Sequence, residues 1–141
     1  YPQELESLIK PIIDSNKDLV LGSRVLGLAD KGSLTPVQKF GNALSTKLIS
    51  LLFNEHFTDL GPFRAIRWES LMKLNMVDQN YGWTVEMQVK GAKLKMDCCE
   101  VPVNYKNRIG KSKVSGTIKG SILAGYKILS TIFKHYNMFI K

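Results

Sequence analysis

The spacing of apolar residues along the chain predicts short strands that alternate with helices. Apolar side chains three or four positions apart predict helices that begin at three points: after Pro2, at Pro36 and near Thr117. Short apolar runs that end at glycine or at polar residues predict strands over residues 18–23, 62–67 and 98–103. Strands separated by helices are typical of the α/β fold class, in which helices cover the faces of a sheet.

Residues 83–90 form an ambiguous segment. Apolar residues occupy every second position there, and this period of two by itself predicts a strand.

Two further elements can be predicted. Residues 68–74 (WESLMKL) predict a short helix. Pro102 cannot donate a hydrogen bond to a neighbouring strand, so the strand at 98–103 is predicted to lie at an edge of the sheet.

The predicted helix from residue 117 onward has a broad apolar face bordered by lysine. Its apolar positions fall on one arc, and the margin of that arc carries Lys119, Lys127, Lys134 and Lys141. Such a helix can pack its apolar face on the sheet of its own domain, or it can lie on an anionic bilayer surface. The pattern leaves both uses open.

The net charge of +8 is confined to the last part of the chain. Residues 1–103 contain 12 Lys and Arg and 12 Asp and Glu, whereas residues 104–141 contain 8 Lys and Arg and no acid. Within that region, residues 108–120 (RIGKSKVSGTIKG) place cations between glycines and serines. This asymmetry indicates a surface that faces phosphate, nucleic acid or an anionic membrane, unless the region only improves solubility.

Length and cysteine content narrow the class of protein. A chain of 141 residues is long enough for one domain with its own core. No apolar run approaches the length of about 20 residues that a membrane-spanning helix needs. Cys98 and Cys99 are adjacent and lack metal-ligand spacing, which indicates a reducing compartment. Because the chain starts at Tyr1 in the middle of a pattern, we expect it to be a piece of a longer protein.

Three segments, in this order and spacing, resemble one enzyme family. They read DLVLGSRVLG (residues 18–27), TDLGPFRAIRWESLMKL (58–74) and YGWTVEMQVKGAKLKMDCCEVPVNYKNRIGKSKVSGT (81–117). The combination of GSR, TDxGxFRA, EVPV and RxGxSKxSG resembles the C-terminal half of a family 2 glycosyltransferase of the dolichyl/polyprenyl-phosphate sugar synthase type. The resemblance covers essentially the whole chain.

The resemblance implies a fold and a division of the chain. The fold would be α/β, the acceptor-side half of a GT-A (Rossmann-like) glycosyltransferase domain, with a mixed sheet flanked by helices. Residues 1–116 would form this part of the domain, including a basic phosphate-binding loop at 105–116, and residues 117–141 would form a basic amphipathic helix. The resemblance also implies a helix, in place of the strand that the period predicts, at residues 83–90.

The resemblance further implies an activity. The intact enzyme would transfer a sugar, such as mannose or glucose, from a nucleotide-sugar to dolichyl or undecaprenyl phosphate. Mg²⁺ or Mn²⁺ would act through a D-x-D motif upstream of this chain, so this fragment would bind no metal and would be inactive alone. We expect a position at the cytoplasmic face of a membrane, with the C-terminal helix on the anionic surface and no nucleic acid partner. An exposed sheet edge leaves a homodimer open.

The resemblance also assigns candidate site residues. Asp59, the acid of TDLGPFR, matches the aspartate at the reaction centre of the family, and Glu86 is a candidate support for the site. Phosphate would be bound by Arg24, Lys39, Asn42, Arg64, Arg108, Ser112 and Lys113. These residue types fit the role, because guanidinium groups match phosphate oxygens and glycine lets backbone N–H groups approach an anion.

Each assignment has a simpler alternative. The basic loop could be solvated and bind nothing, Arg24 could form a surface salt bridge, and Asp59 could cap a turn. Arg64 could merely pair with Asp59, and Glu86 could form an ion pair with a site arginine. For the whole chain, the rivals are a nucleic-acid-binding module and a non-catalytic module that grips phosphate or a membrane surface. Aromatic residues do not alternate with the loop cations, which argues against binding of single-stranded nucleic acid.

Overall fold

The computed structural model of the chain describes residues 1–107, 109–110 and 117–140. A short 3₁₀ turn, Pro2–Glu4, precedes the first helix. The helices are α1 (Leu5–Ser15), α2 (Pro36–Phe53), α3 (Trp68–Leu74), α4 (Trp83–Lys93) and α5 (Ile118–Ile140). The strands are β1 (Leu19–Ser23), β2 (Arg64–Ile66) and β3 (Cys98–Pro102). The α/β class predicted from the sequence is confirmed.

The described strands form one mixed sheet in the order β2-β1-β3. β1 pairs antiparallel with β2, with Val20 opposite Ala65, and parallel with β3, with Leu21 opposite Glu100. Every residue of β1 is buried, which explains the continuous apolar run of this strand. β3 lies at an edge of the sheet, as Pro102 predicts. An open mixed sheet flanked by helices is consistent with part of a GT-A domain.

Apolar side chains pack on both faces of the sheet because successive residues of β1 point to opposite sides. Leu19 and Leu21 join the larger core cluster with residues of α2, α4 and α5. Val20 packs on the other face with Leu8 of α1 and with Val103. The helices α2, α4 and α5 therefore form one layer, and α1 covers the opposite face.

The helix α4 overturns the strand that the alternating pattern predicts and agrees with the resemblance. All residues from Val85 to Val89 are buried, including the polar Glu86 and Gln88. These two polar side chains find hydrogen-bond partners inside the domain, so their positions in the sequence do not mark a solvent-exposed face. The period of two arose from buried polar groups on a helix that is covered on nearly all sides.

Local signals set the ends of the helices. Thr35 and Gln38 form a reciprocal capping box at the start of α2, and Pro36 occupies its first turn. Three helices end at an asparagine in the left-handed conformation: Asn16, Asn54 and Asn75. Asparagine tolerates this conformation better than most residues other than glycine, so it stops each helix at little cost. The start of α2 fixes where Asn42 projects into the domain.

The helices α2 and α5 pack against each other and run in the same direction. Ile49 and Ile132 lie in the same core cluster, and one turn further along each helix Phe53 packs edge-on against Tyr136 at 6.1 Å between ring centroids. Ile132 is fully buried. The C-terminal part of α5 is therefore packed on its own domain, which is one of the two uses that the sequence left open.

The N-terminal part of α5 is different. Four large apolar side chains there are exposed: Ile118, Ile122, Leu123 and Tyr126. The start of α2 likewise exposes Val37 and Phe40. Because the two helices are parallel, these exposed groups lie at the same end of the helix pair. Among the residues that the structure describes, no helix has both the length and the apolar character needed to cross a bilayer.

We predict that Ile132→Ala lowers the free energy of unfolding by about 2–4 kcal/mol, because it leaves a cavity between α5, α2 and the sheet. The matched control Ile122→Ala, at a position that is 65% exposed, should change that free energy by about 0.5 kcal/mol or less. Urea unfolding followed by circular dichroism measures both. Equal effects of the two substitutions would show that α5 does not dock on the domain.

Candidate functional site

A buried ion pair between Asp59 and Arg24 forms the centre of the site. Oδ1 of Asp59 accepts a hydrogen bond from Nη2 of Arg24 at 2.6 Å, and Oδ2 accepts one from Nε at 2.7 Å. The backbone N–H of Arg24 also donates to Oδ2, at 2.8 Å. Asp59 is 1% exposed, and Arg24 directly follows the last residue of β1. The carboxylate therefore binds the arginine through its fork and through its backbone.

Two side chains from distant elements hold the turn that carries Asp59. From α2, Asn42 donates to the carbonyl oxygen of Thr58 at 3.0 Å and accepts from the backbone N–H of Leu60 at 2.9 Å. From β3, the Glu100 carboxylate accepts from the backbone N–H groups of Thr58 and Asp59 at 2.9–3.2 Å. The hydrogen bonds from Asn42 and Glu100 thus fix the backbone on either side of the aspartate, independently of the contact between its carboxylate and Arg24.

The turn also passes very close to β1. The hydroxyl groups of Ser23 and Thr58 share a hydrogen bond at 2.6 Å. A Cβ atom added at Gly61 would lie 2.8 Å from the carbonyl oxygen of Gly22 and 3.1 Å from Oδ2 of Asp59. Glycine is the residue type that permits this approach, which gives a physical reason for the glycine in the TDxG segment.

Arg64, at the start of β2, ties this turn to α4. It donates to the carbonyl oxygens of Gly61 and Thr84, at 3.2 Å from Nε and 3.0 Å from Nη1, and to Oε1 of Gln88 at 3.3 Å. Its guanidinium carbon lies 5.4 Å from the centre of the Trp83 ring. Arg64 therefore does not pair directly with Asp59, so the alternative in which Arg64 merely pairs with that acid is wrong.

The charges of the site reflect its burial. Burial lowers the pKa of Arg64 to about 10; the Asp59 carboxylate opposes that shift and the Arg24 guanidinium adds to it. Burial also opposes the charge on Arg24, but its hydrogen bonds with Asp59, the attraction of that carboxylate and smaller contributions from Tyr105 together outweigh burial and raise the pKa of Arg24. Burial raises the pKa of Glu100; the hydrogen bonds from Thr58 oppose the shift and the negative Asp59 adds to it.

The structure brings together four of the predicted site residues: Asp59, Arg24, Asn42 and Arg64. Lys39 lies one turn before Asn42 on α2, is exposed, and within the described part of the chain its side chain forms no hydrogen bond or ion pair. Arg108, Ser112 and Lys113 lie outside the described residues. The predicted role of the basic loop in binding phosphate stays a prediction.

Glu86 belongs to a different network from Asp59. Its carboxylate lies 2.6 Å from Nζ of Lys90 and accepts from the backbone N–H groups of Val77 and Asp78 at 2.7–3.3 Å. The alternative of an ion pair between Glu86 and a site arginine is therefore wrong, because Lys90, one turn along the same helix, reaches the carboxylate instead. α4 contributes a different side chain to the Asp59 site, Gln88, whose Nε2 donates to the carbonyl oxygen of Asp59 at 3.0 Å.

Sequence reasoning missed Glu100 and Gln88. Glu100 lies in register with the buried Leu21, so it is on the face of the sheet that carries the larger core cluster, where it is half-buried. A charged residue on the inward face of a strand must find a partner, because an unpaired buried charge is very unfavourable. That argument identifies Glu100 only once the register of β3 with Leu21 is known, because a strand prediction for residues 98–103 does not by itself say which face of the strand is inward. Gln88 had no such signal, because the alternating pattern of residues 83–90 places its polar side chain on an exposed face, whereas it is buried in the structure.

The geometry favours binding of an anion over proton transfer by Asp59. Both of its oxygens already accept hydrogen bonds from Arg24, so the carboxylate fixes the arginine in place. A guanidinium group carries five N–H bonds, and some remain that Asp59 does not take. In the described part of the chain, no group of three or more His, Cys, Asp or Glu is arranged to hold a metal ion. The acids of this site are occupied by N–H donors and do not fit a metal.

Several curated proteins are similar to this chain. An uncharacterized glycosyltransferase of Mycobacterium tuberculosis is 34% identical over 115 residues, which cover 79% of this chain and 51% of that protein. A dolichyl-phosphate hexose transferase of Haloferax volcanii is 27% identical over 125 residues, 87% of this chain and 53% of that protein. An undecaprenyl-phosphate mannosyltransferase of Micrococcus luteus is 27% identical over 124 residues, 84% of this chain and 50% of that protein.

These relatives confirm the resemblance seen in the sequence. Their names are those of glycosyltransferases, two of them acting with a polyprenyl phosphate, and they cover about four fifths of the chain. The chain spans about half the length of the curated relatives it matches. No family model matches the chain, and no solved structure matches it significantly.

We predict that Asp59→Asn lowers the free energy of unfolding by about 3 kcal/mol or more, because it leaves the Arg24 guanidinium buried without its counter-charge. The matched control is Asp97→Asn, which breaks the 2.7 Å pair with Lys17 at a site where the aspartate side chain is 57% exposed. An exposed pair of this kind should contribute about 1 kcal/mol or less. Urea unfolding at pH 7 measures both, and a loss for Asp59→Asn no larger than that of the control would contradict the central role of this pair.

Proposed function

We propose that this chain is the acceptor-side half of a glycosyltransferase that transfers a sugar from a nucleotide-sugar to a polyprenyl phosphate, such as dolichyl or undecaprenyl phosphate. The observation that carries the proposal is the Asp59–Arg24 pair, which places a guanidinium group with spare N–H bonds at the carboxyl end of β1. Open α/β sheets bind their ligands at that end of the strands. The names of the relatives supply the substrate class.

The chemistry of such a reaction fits this arrangement. A phosphate oxygen of the lipid attacks the anomeric carbon of the sugar, the bond from that carbon to the nucleotide breaks, and the nucleotide leaves with the electron pair. The attacking phosphate is already ionised near pH 7, so it needs little help from a general base. It needs positive charge instead, because it must approach another phosphate-bearing molecule.

In our proposal the residues divide this work. Arg24 contacts the acceptor phosphate, and Asp59 acts by fixing Arg24. Asn42 and Arg64 hold the Asp59 turn, and Lys39 and the basic loop that includes Arg108, Ser112 and Lys113 add positive charge around the phosphate. Glu86 takes no part in this site. These roles rest on contacts in the described residues for the first four side chains and on the resemblance for the others.

We assign donor binding to a part of the enzyme outside these 141 residues, since the relatives are about twice as long as the segment that matches. The Mg²⁺ or Mn²⁺ that the resemblance implies is assigned there too, because the acids at Asp59 and Glu100 already accept N–H donors. It follows that the 141-residue chain should bind an acceptor phosphate but should not transfer sugar alone.

The test of the function is sugar transfer to undecaprenyl phosphate by the longer polypeptide that contains this chain. In that polypeptide, Arg24→Gln should lower kcat/KM by about 100-fold, because a donor to the reacting phosphate is lost. Lys17→Gln, at a partly exposed cation before the opposite end of β1 from Arg24, is the control and should leave kcat/KM unchanged. Full transfer by the Arg24 variant, or transfer by the isolated 141 residues, would overturn these assignments.

We also propose that the chain contacts an anionic membrane, at the cytoplasmic face, through a surface shared by α2 and α5. This lipid-facing surface consists of Val37, Phe40, Leu44, Ile118, Ile122 and Tyr126, all exposed. Neither α2 nor α5 contains an acid, and together they carry Lys39, Lys47, Lys119, Lys127 and Lys134. Apolar groups bordered by lysines are typical of helices that lie on anionic bilayers.

The position of this surface fits the proposed substrate. Its α2 side chains lie on the first three turns of the helix, the same turns that carry Asn42 to the Asp59 turn. A lipid whose tail remains in the bilayer could therefore present its phosphate to Arg24. The proposal moves the membrane contact away from the C-terminal end of α5, where Ile132 is buried in the domain.

We predict that the double variant Phe40→Ser, Ile122→Ser binds vesicles containing phosphatidylglycerol at least about tenfold more weakly than the unchanged chain, since it removes two large apolar groups from the interface. Trp68→Ser is the matched control, because Trp68 is 72% exposed, against 70% for Phe40 and 65% for Ile122, but lies on α3. Vesicle co-sedimentation measures the binding. Equal loss in the control, or concentration-dependent dimerisation that the double variant abolishes, would show that this surface serves another purpose.

A further inference from the structure

A second candidate site lies between α4, α5 and the loop at residues 77–80. It is a cavity of about 490 Å³ lined by that loop, by Glu86 and by five residues of α5: Lys127, Ser130, Thr131, Lys134 and His135. We call it the α4–α5 pocket. It shares no residue with the Asp59–Arg24 network, and neither the relatives nor the proposed function assign it a role.

The two carboxylates of the α4–α5 pocket already have partners. Glu86 pairs with Lys90 at 2.6 Å and accepts from two backbone N–H groups of the loop. Asp78 pairs with Lys127 at 2.9 Å and accepts from the backbone N–H groups of Asn80 and Gly82 at 2.8 and 3.3 Å. Their negative charges are therefore balanced within the protein, and the acids are not positioned to attract a cation.

Two basic side chains of the pocket, unlike its carboxylates, have no hydrogen-bond or ion-pair partner among the residues that the structure describes. His135 is only 8% exposed and lines the pocket, yet among the described residues its ring forms no hydrogen bond. The ring nitrogens retain solvent access, because Oγ of Ser33 is the one fully buried polar side-chain atom without a partner among the described residues; they can therefore bond a ligand that enters the pocket. Lys134, beside it, also forms no ion pair with any residue that the structure describes.

The surroundings of His135 are cationic. Lys90 and Lys93 of α4 and Lys134 of α5 act on it from several sides, with Glu86 the opposing negative group. Burial lowers the pKa of His135, the lysines lower it further, and Glu86 raises it. An anion in the pocket would reverse this effect, because it would stabilise the protonated ring and accept its N–H.

We propose that the α4–α5 pocket binds a phosphate monoester, held by the protonated ring of His135 and the ammonium group of Lys134. These groups supply charge-assisted hydrogen bonds, the strongest kind that a phosphate oxygen can accept. The pocket volume of about 490 Å³ leaves room for the group that carries the phosphate as well as for the phosphate itself. The ligand is a soluble phosphate monoester or the headgroup of a lipid with the same chemistry.

The proposal predicts that binding takes up a proton. Because burial and the neighbouring lysines lower the pKa of His135 in the free protein, binding of a phosphate to its protonated ring must raise that pKa. Affinity should therefore fall as pH rises above the pKa of the bound form, by up to about tenfold per pH unit, the limit for coupling to one proton. Sulfate, whose charge does not change in this range, is the probe for the pH series.

The experiment is an NMR titration of the two histidine rings with glycerol 3-phosphate and, in parallel, with vesicles containing phosphatidic acid. The His135 signals should shift, and its pKa should rise with ligand. His56 is the internal reference, since it is exposed and bonded to Ser50, and its signals should not respond to ligand. The signals of both histidine rings are recorded from the same sample, so a general effect of ionic strength would shift both sets of signals.

Two variants complete the test. His135→Gln and, as a surface change that leaves the core intact, Lys134→Gln should each weaken binding about tenfold. Lys47→Gln, an exposed lysine on α2, should have no effect. Shifts with glycerol 3-phosphate identify a soluble ligand, and shifts with vesicles alone identify a lipid headgroup; both support the site. If neither probe moves His135, or if Lys134→Gln binds as tightly as the unchanged chain, the proposal is wrong.

Discussion

The buried ion pair between Asp59 and Arg24 is the interaction on which the arrangement of this chain depends. The aspartate is held from three sides before it meets the arginine: Asn42 from α2, Glu100 from β3 and Gln88 from α4. The pair thus connects the central strand β1 to the neighbouring strand β3 and to the helix layer that contains α2 and α4. Its charge could not stay buried without this geometry, because removal of one partner leaves an unbalanced ion in a place that water reaches poorly.

The same constraint gives the chain its chemistry. Both oxygens of the Asp59 carboxylate accept hydrogen bonds, so this group is a poor base but fixes the position of Arg24. Arg24 retains N–H bonds that Asp59 does not accept, and it lies at the end of a strand. The acid-free helices α2 and α5 meet at this end of the domain with exposed apolar side chains. A fixed cation beside an apolar, lysine-bordered surface matches an amphiphilic phosphate better than it matches a nucleic acid, which would need stacking aromatics.

Much of the fold could be predicted from the sequence because the burial of each element was simple. The strand β1 is buried on both faces, so its apolar run is continuous, and Pro102 marks an edge because it has no N–H to donate. The pattern failed where polar residues are buried: Glu86 and Gln88 made α4 look like a strand. The resemblance corrected this, since it depends on the order of motifs and not on polarity.

The site was predicted in part, for a similar reason. Asp59, Arg24 and Arg64 belong to the quoted motifs, and Asn42 is assigned by the resemblance. The structure brings these four residues together, but the partner of each could not be read from spacing. Glu86 has a lysine as its partner because Lys90 is one turn away on the same helix. Glu100 went unnoticed because a glutamate in a short strand looks exposed until the register with Leu21 is known.

The measurement that tests the central claim most directly is the affinity of the 141-residue chain for farnesyl phosphate, by calorimetry in a His135→Gln background so that the α4–α5 pocket does not contribute. The account predicts binding of farnesyl phosphate but not of farnesol, and a loss of about tenfold or more in Arg24→Gln, since one charge-assisted contact is removed. Equal affinity for farnesyl phosphate with and without Arg24 would contradict it.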